Sequence, residues 1–101
     1  MAYNVLKYDV VDDEIEAVII YYESISFGLG ERFENEIENA LTNLEGNAHH
    51  YFNLEDKVHR RIPIAGFPYA FIYSIAGSEV IVKMLFPQLQ DPAKLWARLI
   101  M

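Results

Sequence analysis

The fold is decided by the stretch VHRRIPIAGFPYAFIYSIAGSEVIVKMLF, residues 58–86. It divides into three apolar runs rich in Val, Ile, Phe and Tyr, at 58–67, 68–77 and 78–86. Gly66 to Pro68 and Ala76 to Ser78 separate these runs with residues typical of turns. Because the connections are so short, the three runs are predicted to pair as consecutive antiparallel strands.

Two helices are predicted before this stretch and one after it. Apolar side chains recur every three or four residues over 13–24, and again from Phe33 to Leu44. The connection SFGLG at 26–30 is short, so these two helices are expected to form a hairpin. The pair Asp91-Pro92 is typical of a helix start and predicts a short C-terminal helix.

The N-terminal segment YNVLKYDVV, residues 3–11, is predicted to be a strand because it alternates loosely and is rich in Val and Tyr. Asp13 and Glu16 have capping-box spacing, so the first helix is expected to begin near Asp13. The predicted order is therefore β-α-α-β-β-β-α. Helices packed on an antiparallel sheet give an α+β fold, and the 101 residues are expected to form a single domain, 1–101.

Composition excludes several classes of function. The chain has no cysteine, so it can form no disulfide, thiolate nucleophile or cysteine-ligated zinc site. The adjacent pair His49-His50 lacks a third ligand at suitable spacing, so neither a metal site nor a cofactor is expected. No apolar run reaches the length of a membrane span and no signal peptide is visible, which predicts a cytoplasmic protein without membrane association.

Charge is divided unevenly along the sequence. Residues 1–56 hold 13 acidic and two basic side chains, whereas residues 57–101 hold two acidic and six basic ones. The two parts therefore carry net charges of −11 and +4, which together give the overall −7. Such a division indicates either two faces with different partners or an electrostatic match within one molecule.

The same stretches resemble the RelE/ParE family of toxins from bacterial type II toxin-antitoxin modules. The matching segments are YYE at 21–23, GLGERFENEIENAL at 28–41, RRIPIAGFPYAFIY at 60–73 and DPAKLWAR at 91–98. They are closest to the ParE-like branch, whose members are often described as plasmid stabilisation proteins. The resemblance implies a small antiparallel sheet with a helical hairpin, and a toxin neutralised by an antitoxin protein encoded beside it.

The chain also departs from the family pattern. Many relatives carry a His and one or two Arg just before the terminal Asp-Pro, where this chain has Pro87, Leu89 and Gln90. The toxins are usually basic, whereas this chain is acidic. Relatives of the RelE type cleave messenger RNA on the ribosome, and relatives of the ParE type are described as inhibitors of DNA gyrase, so the family resemblance leaves the target open.

The basic strand supplies most of the candidate binding residues. Alternation on a strand puts Lys57, His59 and Arg61 on one face and Arg60 on the other. The first face could meet a phosphate backbone or an acidic partner, and Arg is suited to bidentate contact with either. The alternative is that Arg60 or Arg61 pairs with the acidic helices of the same molecule. The full set of residues expected to contact a target or antitoxin is Lys57, Arg60, Arg61, Tyr69, Lys83 and Arg98.

Cleavage of RNA would require a proton acceptor, a proton donor and a cation beside the phosphate. The catalytic candidates are His59, Arg61, Tyr73 and Lys83. Because His59 is the only good candidate for the general acid, catalysis is the less favoured interpretation. The aromatic residues at odd positions from Phe67 to Tyr73 are expected to pack beneath a helix rather than to stack on nucleotides.

The leading interpretation is therefore a ParE-like toxin that acts by binding a cellular target, with DNA gyrase as one candidate. Two alternatives remain: a ribosome-dependent endoribonuclease of the RelE type, and a decayed homologue that is no longer toxic. An apolar groove left bare in the lone toxin would also favour a homodimer when the antitoxin is missing.

Overall fold

The structure, a computed structural model, describes residues 2–99. It confirms the predicted α+β fold and the predicted order of elements. The strands and helices are β1 (Asn4–Lys7), α1 (Asp9–Ile25), α2 (Leu29–Asn47), β2 (His59–Pro63), β3 (Tyr69–Ala76), β4 (Glu79–Pro87) and α3 (Pro92–Leu99). A short 3-10 turn, Ala48–His50, follows α2.

The sheet has four strands in the order β1-β4-β3-β2. Strands β2, β3 and β4 form the predicted antiparallel meander, and β1 adds to it in parallel beside β4. The central strand β3 is buried on both faces, since every residue from Ala70 to Ser74 is buried. The sheet therefore has two covered faces, and the chain must supply an apolar layer for each.

The hairpin of α1 and α2 covers one face of the sheet. Its apolar stripes meet Ile62, Phe71, Tyr73 and Val82 in the larger of two hydrophobic clusters. Aromatic rings fill the end of this layer that lies near the β2–β3 turn, where Tyr22, Phe33, Phe67 and Tyr69 contact one another edge to face or tilted. The aromatic stripe of β3 is thus part of the core beneath a helix, as its spacing predicts.

The predicted N-terminal strand was wrong for the second half of its residues. The strand ends at Lys7 and α1 already begins at Asp9, whereas the sequence predicts a strand as far as Val11 and a helix from about Asp13. Val11 is fully buried in the hairpin-side core, which a helical turn at this point allows. Packing of Val11 therefore outweighs the strand propensity of the valines, and Asp9 and Asp12 occupy the first helical turn.

Two glycines and one carboxylate shape the hairpin connection. Gly28 has a φ of 84°, in the left-handed region that favours glycine. The Glu23 carboxylate accepts hydrogen bonds from the backbone N–H groups of Gly28, at 2.9 Å, and of Gly30, at 3.0 Å. At Gly30 an added Cβ would lie 2.7 Å from the carbonyl oxygen of Ile19, so the two helices are close here. The residue Glu23, at the end of α1, therefore satisfies the free N–H groups at the start of α2.

None of the helices in residues 2–99 is both long and apolar enough to cross a lipid bilayer.

The two glycines of α2 are expected to respond in opposite ways to alanine. Gly30→Ala should lower the free energy of unfolding by about 1–3 kcal/mol, because the Ile19 backbone cannot move away cheaply. Gly46→Ala should raise it by about 0.5 kcal/mol, because its Cβ meets no atom within 4 Å and alanine favours the helix. Urea denaturation of both variants measures the difference. Equal effects of the two substitutions would contradict the close helix packing described here.

Candidate functional site

The second face of the sheet, here called the α3 face, is only partly covered. Helix α3 packs Leu95 and Leu99 on Ile72, Met84 and Phe86, which form the smaller hydrophobic cluster. Beside this contact the α3 face is open and carries polar and charged side chains at both ends. This is the face on which the candidate functional residues collect.

A β-bulge in β4 places Lys83 on the α3 face. In the register of β3 and β4, Ile72 pairs with Met84 and the next residue, Tyr73, pairs with Val82, so Lys83 has no partner. Bulges redirect side chains in this way. As a result both Lys83 and Met84 lie on the α3 face, while Val82 and Leu85 lie in the hairpin-side core.

Three ionisable side chains form a chain of hydrogen bonds at the open end of this face. The Asp56 Oδ2 lies 2.6 Å from the His59 Nδ1, and the His59 Nε2 lies 2.9 Å from the Lys83 Nζ. The His59 residue is 8% exposed, so its ring is enclosed between its two partners. We call this group the Asp56–His59–Lys83 relay.

The chemistry of lysine fixes the protons in this relay. A lysine ammonium is only a donor, so the His59 Nε2 must accept its hydrogen bond. The remaining ring proton is then on Nδ1, from which it is donated to Asp56. His59 therefore bridges Asp56 and Lys83, and both of its ring nitrogens are occupied by hydrogen bonds.

The turn before β2 holds Asp56 in place. Its Oδ1 accepts hydrogen bonds from the backbone N–H groups of Val58, at 2.9 Å, and His59, at 3.0 Å. Burial acts to raise the pKa of Asp56, but the hydrogen bonds from the His59 side chain and from these two N–H groups outweigh it and lower the pKa to about 2. The carboxylate is therefore ionised throughout the physiological range.

Arg61 lies at the other end of the α3 face, beside a cavity of about 290 Å³. The floor of the cavity is apolar and includes Ile72, Phe86 and Leu95, and the half-buried Trp96 is part of its wall. Within residues 2–99, Arg61 is exposed and forms no ion pair with a carboxylate. A cation beside an apolar recess suits an apolar side chain of a partner that has a carboxylate or phosphate next to it.

Arg60 points to the opposite side of the sheet, as strand alternation predicts. Its Nη1 donates to the carbonyl oxygens of His49, at 3.0 Å, and Tyr51, at 2.8 Å. Arg60 thus binds backbone carbonyls after α2 and not the glutamates of the hairpin. These bonds hold Arg60 within the molecule, and the alternative in which an arginine pairs with the acidic helices does not occur for Arg60 or Arg61 in the described part of the chain.

The other candidates fall in different places. Lys57 was predicted to share a strand face with His59, but this was wrong: β2 begins at His59, and Lys57 lies in the preceding turn with a φ of 60°. Tyr73 is fully buried and its hydroxyl donates a hydrogen bond to the Ala48 carbonyl, so it cannot reach a substrate. The same burial raises the pKa of Tyr73. Tyr69 packs in the hairpin-side core.

Arg98 ties α3 to the rest of the molecule. Its Nη2 lies 2.8 Å from the Glu14 Oε2, and the other oxygen of Glu14 accepts the Leu85 N–H at 3.0 Å. Arg98 and Lys83 also line a second cavity of about 420 Å³ on this side. The α3 face therefore brings together His59, Arg61 and Lys83, with Arg98 at its margin, and leaves out Lys57, Arg60, Tyr69 and Tyr73.

Asp56 is the residue that the sequence analysis missed. It lies three residues before His59 in the loop segment NLEDKVH, 53–59, where charged residues are usually solvated. The available signal was the Asp-x-x-His spacing at the start of a strand, which lets one carboxylate cap two backbone N–H groups and reach the ring. That spacing alone is common, so only the structure distinguishes it from an ordinary surface turn.

Comparison with known proteins shows that this chain shares its fold with a solved structure. No protein-family profile and no curated protein sequence matches this chain. Among solved structures, it is similar to a chain of the structure described as "Chromosomal ParDE TA system from P. aeruginosa", with a TM-score of 0.71. The match covers 85% of this chain and 96% of that chain at 12% sequence identity. The chain therefore has the fold that its resemblance to the ParE-like branch implies.

Asp56→Asn should lower stability in a way that depends on pH. The folded-state pKa of about 2 lies below the ordinary value of 3.8, so the carboxylate stabilises the fold above about pH 4, and this contribution is lost as the pH falls through 2. We expect the variant to lose about 1 kcal/mol at pH 7, since the side chain is 31% exposed, and to approach the wild type near pH 2.

Chemical denaturation at several pH values measures this difference, with the neighbouring exposed Glu55→Gln as the matched control. A loss at Asp56→Asn that stays constant down to pH 2 would contradict the ionised relay. ¹⁵N NMR of the imidazole gives a second readout, because the Nδ1 hydrogen bond to Asp56 should be lost or altered in the variant.

Proposed function

We propose that this protein is the toxin of a type II toxin-antitoxin module, resembling ParE, and that it acts by binding its target. The observation that supports this most is the fold, which covers nearly all of a chain from a ParDE system. The position of Arg61 supports it further, since this cation is exposed beside an apolar recess and has no carboxylate partner in residues 2–99.

Binding is favoured over catalysis by the state of His59. The best candidate for a general acid must reach the leaving group, yet both nitrogens of His59 are hydrogen-bonded within the relay and its ring is buried. Tyr73, a second proton donor among the catalytic candidates, is enclosed in the core. In this proposal the relay positions Lys83 on the α3 face, and Lys83 and Arg61 contact the partner.

The proposal assigns the α3 face to a protein partner in the cytoplasm. DNA gyrase is the proposed target, and a co-encoded antitoxin would cover the same cations with an acidic segment that has apolar side chains. A homodimer of the free toxin remains a prediction, which light scattering of the purified protein tests.

The enzymatic alternative, a ribosome-dependent endoribonuclease, has one observation in its favour. Asp56, His59 and Lys83 form a continuous hydrogen-bonded series, and a lysine held next to a histidine can exchange a proton with it. Incubation of the protein with ribosomes and messenger RNA tests this directly. The decayed-homologue alternative predicts normal growth of cells that produce the protein.

Arg61→Ala should abolish toxicity in cells that express the chain without an antitoxin. We expect growth arrest with the wild type and normal growth with the variant, because the loss of an interfacial arginine typically costs about 2 kcal/mol, or roughly thirtyfold in affinity. Arg32→Ala is the matched control: it removes the same charge from an exposed position on α2, away from the α3 face, and should leave growth arrest unchanged.

Purified components then identify the target. Inhibition of gyrase supercoiling by the wild type, lost in Arg61→Ala and kept in Arg32→Ala, is the result that the proposal predicts. Messenger RNA cleavage on ribosomes would favour the enzymatic alternative instead. Normal growth with the wild type would contradict a live toxin of either type.

A further inference from the structure

The two helices of the hairpin differ sharply in their outward faces. Every exposed residue of α2 is charged, polar or glycine. Helix α1, in contrast, exposes apolar side chains along its whole length, and the following turn adds one more. The exposed apolar residues are Val10, Ala17, Ile20, Tyr21, Ile25 and Phe27, which we call the α1 outer stripe.

This stripe is additional to the face that α1 buries in the core. The inner face of α1 packs Val11, Ile15, Val18, Ile19 and Tyr22 against the sheet and α2. The outer side chains make no use of that layer: Ile20, Tyr21 and Ile25 are each more than half exposed, and Phe27 is 99% exposed. A helix that is apolar on both sides is typically covered on both sides.

The segment that carries the stripe has charges of one sign, and Arg98 of α3 approaches it only at Glu14. Residues 9–27 contain six acidic side chains and no Lys or Arg. Glu16 and Glu23 lie four residues before and three residues after Ile20, which places both next to it on the helix surface. Asp13 lies four residues before Ala17 and is therefore next to it on the helix surface. The apolar stripe is therefore bordered by carboxylates.

We propose that the α1 outer stripe docks a cationic amphipathic helix of a partner protein. Such a helix would lay its apolar side chains on Ile20, Tyr21 and Ile25 and place Lys or Arg next to Glu16 and Glu23. Helix α1 has 17 residues, so it offers a length of about 25 Å, or four to five helical turns.

The charges also argue against two other occupants of the α1 outer stripe. A second copy of this chain, packed α1 against α1 about a two-fold axis, would bring the acidic borders of both copies together. An anionic lipid surface would meet the same carboxylates and be repelled. Val10 lines the cavity of Lys83 and Arg98, but Ile20, Tyr21 and Ile25 line neither cavity of the α3 face. The inference rests on these three residues, so it stands whether or not the chain is toxic.

Two synthetic helical peptides of 17 residues test the proposal, one with a leucine face bordered by lysines and the other with the same face bordered by glutamates. Titrated against the full ¹⁵N-labelled chain, the lysine peptide should bind at least roughly tenfold more tightly, with chemical-shift changes centred on Ile20, Tyr21 and Ile25. Ile20→Ser, which changes no charge, should weaken the binding roughly tenfold. The control Leu89→Ser removes an apolar side chain elsewhere that is even more exposed, 89% against 61% for Ile20, and should leave the affinity unchanged.

Three results would overturn the inference. The first is equal binding of both peptides, and the second is binding of the lysine peptide that Ile20→Ser does not change, which would indicate attraction by charge alone. The third is a dimer of the free chain that Ile20→Ser converts to a monomer, because the stripe would then be covered by a second copy.

Discussion

The structure depends on the burial of β3 on both faces. Five consecutive residues of this strand, Ala70 to Ser74, are enclosed, so the chain must provide an apolar layer on each side of the sheet. The hairpin supplies a complete layer on one side, in which Phe33 of α2 lies in the same hydrophobic cluster as Tyr73 of β3. On the other side α3 is a single short helix and covers only part of the sheet. The unequal size of these two layers is what leaves a polar, accessible face.

That accessible face is organised by a local irregularity of the sheet. Without the bulge at Lys83, regular alternation would send Met84 towards the hairpin and leave α3 without one of its apolar contacts. With the bulge, Met84 packs beneath α3 while Lys83 reaches His59. One extra residue in β4 thus serves both the packing of the smaller core and the position of a charged group. The hydrogen bonds of Asp56 then hold the His59 ring between Asp56 and Lys83.

Much of this arrangement can be predicted from the sequence, because its causes are local. The turn residues around Gly66 and Gly77 separate the strands, and the spacing of apolar residues in α2 gives the helix and its buried face. Alternation correctly places Arg60 and Arg61 on opposite faces. The start of α1 depends instead on where Val11 is buried, and the bulge at Lys83 depends on how α3 packs. Both are set by contacts between distant parts of the chain, which no local pattern contains.

Most acidic side chains lie on the hairpin, whereas the α3 face carries the cations Arg61 and Lys83 together with the carboxylates of Asp56 and Glu55. The central claim is that the α3 face is where the target binds. Gln88 lines the cavity beside Arg61. Replacement of Gln88 by the photoreactive residue p-benzoylphenylalanine, followed by irradiation of living cells and mass spectrometry, tests this most directly, because Arg61 stays in place. The account predicts a covalent adduct with a subunit of DNA gyrase that does not form when the same residue replaces Arg32. Equal adducts from both positions, or adducts only from the Arg32 position, would contradict binding at the α3 face, and adducts only with ribosomal components would contradict gyrase as the target.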